Sequence, residues 1–388
     1  MPDFFFSRSF MKRRTTFIQC AILLLVLISI GCKQIRKVAD VLVQPTAREI
    51  YARNFENDNQ QFAIWERAFK EARKDSLLIN LPYVEIAKGF SHRYVVYSYN
   101  LFLEEGVTLH VDIKNREEES RFFIDVLQIA SDSSITQFAQ NEINSPILQV
   151  DIETTGTYKI LIQPEINALG DFEIQMYNTP RFMFPVAGST NDAVQSFWGA
   201  KRDAGARLHE GIDIFATRGT PVVAAAEGRI TSAGNRGLGG KQVWLRTGLL
   251  GKSLYYAHLD SIMAQVGDRV NVGDTLGLVG NTGNARTTAP HLHFGIYKTG
   301  KGAVNPLPFV WKTTKPELTN PLPITPQLKV SSTRANLRNS PTTNSLVVGE
   351  AIKSDTLQLL GYTNKWAHVL TASGKKAFVH SSLVATSL

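Results

Sequence analysis

Three strand-length segments, LHEGIDIF (208–215), LYYAHLD (254–260) and APHLHFGIY (289–297), hold four of the chain's eight histidines. They constrain the fold more than any other feature, because their polar residues make chemical sense only if short strands converge. The set is His209 and Asp213, then His258, then His291 and His293. A water-activating zinc site takes three protein ligands, usually from His and a carboxylate, and leaves one position open. These five residues supply the ligands with two histidines to spare.

Strand geometry tests the spacings. Successive side chains alternate faces, so His291 and His293 point the same way, with Cα atoms roughly 6.6 Å apart. Both can face one metal or its bound water. His209 and Asp213 also share parity, but four extended residues cover ~13 Å, too far for a single ion. The backbone must bend between them, and Gly211 is the residue that would allow it. In LYYAHLD, alternation places His258 on the face of Tyr256. Glu210, beside His209, belongs to the opposite face, and no HExxH helix is present.

The text around these residues is long: FWGAKRDAGARLHEGIDIFATRGTPVVAAAEGRI, LYYAHLDSI, VGDRVNVGDTLGLVGNTGNA and PHLHFGIY. It resembles the lysostaphin-type (M23, LytM-like) zinc endopeptidases, which cleave peptidoglycan cross-bridges. The resemblance implies that His209, Asp213 and His293 bind Zn2+, and that His258 and His291 act on the bound water and the transition state. It implies metal-assisted hydrolysis of peptide cross-links, with peptidoglycan peptides as the partner. The competing class is a catalytically inactive LytM-like activator of a cell wall amidase. Inactive relatives lose metal or catalytic residues, and all five are present here. Which peptide bond is cut cannot be read from the chain.

The N-terminus points to export. Lys12, Arg13 and Arg14 precede a mostly apolar run from Phe17 to Gly31, which is short for a membrane span. The ending SIGC resembles a lipobox, so residues 1–32 are expected to be a signal peptide and Cys32 a lipidated membrane anchor. The expected location is the cell envelope, facing periplasm or exterior. Cys20 and Cys32 are the only cysteines, so the mature chain would have no thiol free for a disulfide. Arg8, Lys12, Arg13 and Arg14 against Asp3 put about +3 of the formal +8 in the leader. The remaining excess suits an anionic wall or membrane surface. No basic stripe with interleaved aromatics supports nucleic-acid binding. Oligomeric state is not readable.

The rest of the chain reads as mainly β and multidomain. A helical segment spans 33–91, with Ile50, Phe55, Phe62, Trp65 and Phe69 at partly helical spacing and the pattern running to about Ala87. Residues 92–180 alternate in strand-like runs and suggest an antiparallel, jelly-roll-like β-sandwich. The peptidase-like domain occupies 184–312, its repeated glycines marking hairpin turns, with Gly237–Gly240 as a loop at the cleft rim. A proline-rich linker follows at 313–327. Residues 328–388, with ANLRNSPTTNSLVVGEAI and DTLQLLGYTNKWAHVL, resemble a small bacterial SH3-like barrel. Modules of that kind often hold peptidoglycan peptides, which makes Tyr362 and Trp366 candidate contacts, with packing inside the barrel at least as strong a reading for Trp366; His368 and His380 read as structural.

Overall fold

The computed structural model describes residues 45–55, 59–90, 94–116, 119–248, 251–318 and 325–386. The expected signal peptide and Cys32 lie outside the described residues. The chain divides into two compact units at Asn57/Asp58. In the first, helix α1 (Ala47–Ala52) starts on a reciprocal capping box: Glu49 N donates to Thr46 Oγ1 at 3.1 Å and Thr46 N to Glu49 Oε2 at 2.7 Å.

The second unit opens with helix α2 (Gln60–Ala72), whose first turn is capped by Asn59 Oδ1 accepting from Phe62 N at 2.9 Å. Trp65 is buried, donates Nε1–H to Pro164 O at 2.8 Å and meets Phe123 edge-on. The helical pattern stops at Ala72. Where the sequence suggested helix to about Ala87, the structure has strand β1 (Tyr83–Ala87), with all five residues of YVEIA buried. An amphipathic helix leaves one face wet. Pairing on both edges of this strand overrides the local pattern, as burial commonly overrides propensity.

The sandwich adds β2 (Tyr97–Leu103), β3 (Val107–Asn115), β4 (Phe122–Ile129), β5 (Ile135–Gln140), β6 (Ile147–Asp151), β7 (Gly156–Pro164) and β8 (Phe172–Pro180). One sheet has the order β2-β7-β4-β5, and the other includes β1-β8-β3-β6. The alternating runs in the sequence fill the space between them with Tyr97, Tyr99, Leu109, Ile124, Tyr158 and Ile174.

The next body carries the histidines. Its strands are β9 (Val194–Ser196), β10 (Lys201–Arg202), β11 (Arg207–Leu208), β12 (Ile212–Phe215), β13 (Pro221–Val223), β14 (Gly228–Arg236), β15 (Gly240–Arg246), β16 (Ser253–Leu259), β17 (Ser261–Ile262), β18 (Arg269–Val270), β19 (Thr275–Leu278), β20 (His291–Lys298) and β21 (Gly302–Val304). The main sheet runs β18-β14-β15-β16-β20-β12-β9, and a small sheet β13-β19-β17 packs with it around Ile212, Val243, Tyr256, Leu276 and Phe294. The sandwich meets this body at the far end of β20. Lys298 Nζ lies 2.8 Å from both oxygens of Glu105, and Gly106 (φ +101°) is so close to Phe309 that a Cβ would stand 2.5 Å from the ring. That end is about 17 Å along the strand from His293.

The C-terminal barrel contains β22 (Gln327–Val330), β23 (Arg334–Arg338), β24 (Val347–Ile352), β25 (Thr356–Thr363), β26 (Trp366–Leu370), β27 (Lys376–His380) and β28 (Val384–Thr386). It is joined to the sandwich through the backbone. β25 pairs with β1, placing Ile86 opposite Tyr362 and Ala87 opposite Gly361, so one sheet passes from sandwich into barrel. Beneath the seam, the fully buried Glu85 accepts from Tyr99 OH at 2.7 Å, from Tyr83 OH and from His368 Nδ1 at 2.9 Å. A Cβ at Gly361 would stand 2.3 Å from Glu85 Oε1. The described part of the proline-rich linker is also held: Thr313 Oγ1 donates to Asn178 O, and Lys315 pairs with Asp112. Tyr362 and Trp366, read from sequence as candidate ligand contacts, are 4% and 8% exposed and belong to the cores.

Candidate metal centre and active site

The pairing of β12 with β20 sets Asp213 opposite His293 and Phe215 opposite His291. With period-2 alternation, all four side chains fall on one face of the sheet, and Ile212, Ile214, Leu292 and Phe294 fill the core behind it. Asp213 Oδ1 is 3.0 Å from His293 Nδ1. His209 arrives from the turn between β11 and β12, placing Nε2 3.0 Å from Asp213 Oδ1 and 3.0 Å from His293 Nδ1. The turn at Gly211 works by close approach. Its φ is not left-handed, but a Cβ there would stand 2.6 Å from Phe294 O and 2.7 Å from His293 Cε1.

The three atoms form a near-equilateral triangle. His209 Nδ1–H donates to Phe197 O at 2.9 Å, which leaves Nε2 with its lone pair toward the triangle. Two imidazole nitrogens and a carboxylate oxygen converging at 3.0 Å are a donor set for a cation. Tetrahedral zinc with bonds of 2.0–2.1 Å separates its ligand atoms by roughly 3.3 Å, so a small adjustment seats the ion. Burial opposes ionisation of Asp213, yet in the metal-free site hydrogen bonds and charge from His209 and His293, whenever either ring carries the extra proton, hold its carboxyl well below the usual carboxylate range. A cation in the triangle would take the place of that proton. Burial lowers the pKa of His293, favouring the neutral imidazole that a metal requires.

His258 reaches the same cleft by a different route. Strand alternation placed it with Tyr256, and the structure overturns that. Tyr256 is buried in the core with its hydroxyl accepting from Ala225 N at 2.9 Å, whereas His258 lines the cleft beside Tyr255. The cause is a bulge where β15 meets β16, with His258 in the left-handed region at φ +64°. The extra residue re-aims its side chain. His258 N donates to Gly239 O at 2.8 Å, and Nδ1–H donates to Thr282 O at 2.9 Å. His291 repeats the device: Nδ1–H donates to Ala289 O at 2.8 Å while Phe215 stacks on the ring at 4.9 Å. In each case the backbone carbonyl fixes the tautomer and leaves Nε2 as the acceptor. Burial, followed by the charges of His293 and His291, lowers the His258 pKa to about 4.

The cleft has a volume of ≈ 680 Å³ and is lined only by residues between Gln195 and Tyr297. Among the described residues, none from the sandwich or the barrel enters it. Tyr255 and Tyr297 form one wall, and burial raises the pKa of Tyr255 to about 12 and that of Tyr297 above its ordinary value. Glu210 stands on that rim, accepting from Tyr297 OH at 3.3 Å. Sequence reasoning missed Arg202, Ser196, Thr282 and Phe215. Arg202 carried the only usable signal, since RDAG is turn-forming text that folds a hairpin back toward His209.

Two stretches of the chain match known protein families. Residues 207–306 match the model for Peptidase family M23, and residues 333–385 that for the bacterial SH3 domain. The DD-carboxypeptidase/endopeptidase Mpg of Neisseria meningitidis serogroup B is 44% identical over 113 residues, covering 29% of this chain and 25% of that protein. The L-Ala--D-Glu endopeptidase of Bacillus subtilis is 35% identical over 123 residues, covering 30% of this chain and 37% of that one. Among solved structures, the catalytic domain of lysostaphin from Staphylococcus simulans is 34% identical, with a TM-score of 0.26, covering 29% of this chain and 87% of that domain. The chain thus spans between 25% and 37% of the length of these curated relatives.

Proposed function

From a mainly β chain that holds a Peptidase family M23 domain and a bacterial SH3 domain, we propose a zinc-dependent endopeptidase that hydrolyses peptide cross-links of bacterial peptidoglycan. The observation that carries this reading is the 3.0 Å triangle of His209 Nε2, Asp213 Oδ1 and His293 Nδ1 with two oriented imidazoles beside it. Zinc held by those three atoms would lower the pKa of a water toward neutrality and polarise the scissile carbonyl. The chain's own residues do the rest. His258 and His291 present Nε2 acceptor atoms to the cleft, placed to take a proton from water and return it to the leaving amine. Their imidazolium forms would steady the developing oxyanion. The core strands behind the site exclude water from one side only, leaving the cleft open to an extended peptide.

The same proposal places the protein in the cell envelope, anchored through a lipidated Cys32, with the barrel near the wall. The amidase-activator reading requires no turnover, so activity separates the two. The decisive experiment measures zinc content and muropeptide release from purified sacculi for wild type, Asp213→Ala and His258→Asn. The expected outcome is about one zinc per wild-type chain, loss of metal in Asp213→Ala, and retained metal in His258→Asn with activity down about 10²- to 10⁴-fold. A wild type that binds zinc yet releases no muropeptides sinks the hydrolase reading.

A further inference from the structure

Asp213 uses its two oxygens differently. Oδ1 faces His209 and His293, whereas Oδ2 accepts from Arg202 Nη2 at 2.7 Å. The same Nη2 donates to Ser196 Oγ at 2.5 Å, and Ser196 is the β9 residue directly opposite Asp213. Ser196 Oγ in turn lies 3.4 Å from His209 Nδ1. One guanidinium is therefore tied to the carboxylate and, through the serine, to the edge of the histidine. It comes from the short strand β10 and lines the cleft, with its side chain 32% exposed.

We propose that Arg202 is a positioning residue for the metal centre: it holds Oδ2 so that Asp213 offers a single oxygen, Oδ1, to the ion. The inference rests on the zinc reading above. The physical argument is that a carboxylate can bind a cation through one oxygen or both, and its rotation about χ2 is soft. A charge-assisted hydrogen bond to Oδ2 fixes that rotation and occupies the oxygen that would otherwise swing toward the metal. A guanidinium also brings a positive charge near the cation, which on its own would weaken binding. The geometry favours orientation as the larger effect, because groups that orient metal ligands typically govern affinity by 10- to 100-fold. Lysine cannot reproduce the hold fully, since its shorter, rotatable and more strongly hydrated ammonium lacks the fixed N–H directions that aim Nη2 at both Asp213 and Ser196.

The test uses the full chain as wild type, Arg202→Met and Arg202→Lys. Zinc affinity is measured by chelator competition, and visible absorption is recorded on the cobalt-substituted proteins as a readout of coordination number. Metal-free thermal unfolding serves as the folding control. The expected result is zinc binding weakened about 10- to 100-fold in Arg202→Met, with a smaller loss in Arg202→Lys. The cobalt bands of Arg202→Met should weaken as Oδ2 joins the coordination. Equal or tighter zinc binding in Arg202→Met, with an unchanged cobalt spectrum, overturns the proposal. A wild type that binds zinc but cuts nothing would sink the hydrolase reading while leaving the Arg202 result to be judged on affinity alone. A wild type that binds no zinc overturns both.

Discussion

His258 stands in a backbone conformation that few non-glycine residues adopt, at φ +64°. Strain of this kind is of order 1–3 kcal/mol and persists only where the surroundings over-determine it. Here the bonds to Gly239 O and Thr282 O do so. Asparagine tolerates the left-handed region better than most residues, so His258→Asn removes the imidazole with the least disturbance of the bulge. Titration gives a second expectation. In the metal-free protein His258 has its pKa lowered from 6.5 to about 4 by burial and by His293 and His291. Between those values the unfolded chain binds the proton and the folded chain does not. This contribution to stability is therefore present above about pH 6.5 and lost as pH falls toward 4. Urea unfolding of metal-free protein from pH 7.5 to 4 should show that slope, and it should flatten in His258→Asn. An unchanged slope would mean that His258 is not the group responsible. The common face of His291 and His293 was legible in the sequence because strand alternation is local, whereas Asp213 joins that face through the β12–β20 pairing, 80 residues apart, which no local pattern carries. The face of His258 was not, because one inserted residue reverses the parity and leaves no local mark.

At the scale of elements, the site depends on β16 being held by the turn that precedes β20. Thr282 is the fastener: its carbonyl accepts from His258 Nδ1, while Oγ1 donates to Leu259 O at 2.8 Å and accepts from Lys241 N at 3.0 Å. Gly239, Gly240 and Gly283 let the two loops touch through their backbones. A Cβ at Gly240 would stand 2.4 Å from Gly283 N, and one at Gly239 1.9 Å from Tyr255 OH. Thr282→Val keeps the shape but leaves Lys241 N and Leu259 O without the hydroxyl, costing about 1–3 kcal/mol of stability. The loop should then hold His258 less firmly. We expect kcat to fall about 10-fold, less than the roughly 10²- to 10⁴-fold that losing an acid–base group outright costs, while zinc affinity stays within about 2-fold, because Thr282 touches no ligand. Steady-state cleavage of a purified cross-linked muropeptide, beside chelator competition, reads both quantities. A parallel loss of zinc would show that the loop acts on the triangle instead. The glycines at 237–240 and 280–283 were readable as turns from their sequence, but their mutual packing is a contact over about 40 residues that no local pattern carries.

The whole molecule shows the same limit more strongly. YVEIA looked like the end of a helix, and the four prolines of 313–327 looked like a spacer before an independent module. Pairing of β1 with β25, more than 270 residues away, makes sandwich and barrel one sheet, with Leu360, Trp366 and Phe378 of the barrel in the sandwich's own core cluster. Deleting residues 328–388 would therefore do more than remove a tethered binding module. It would expose the apolar edge of the sandwich, turn β1 into an unpaired edge strand, and leave Glu85 buried without His368. The truncated chain should melt at lower temperature and associate with rising concentration, read by differential scanning calorimetry and sedimentation velocity. The intact chain should melt sandwich and barrel in a single transition, since the sandwich core is completed by Leu360, Trp366 and Phe378 of the barrel and one sheet runs through both. Gly361→Val offers a gentler test: its side chain meets Glu85 Oε1 and Ile86 O at the seam, so it should split that transition in two while the zinc affinity proposed for the cleft, built entirely from residues 195–297, stays at the wild-type value. If truncation leaves the melting temperature unchanged and the protein monomeric, the barrel is an appendage after all. If the prediction holds, any wall ligand bound by the barrel is presented at a fixed orientation to the sandwich rather than on a swinging arm.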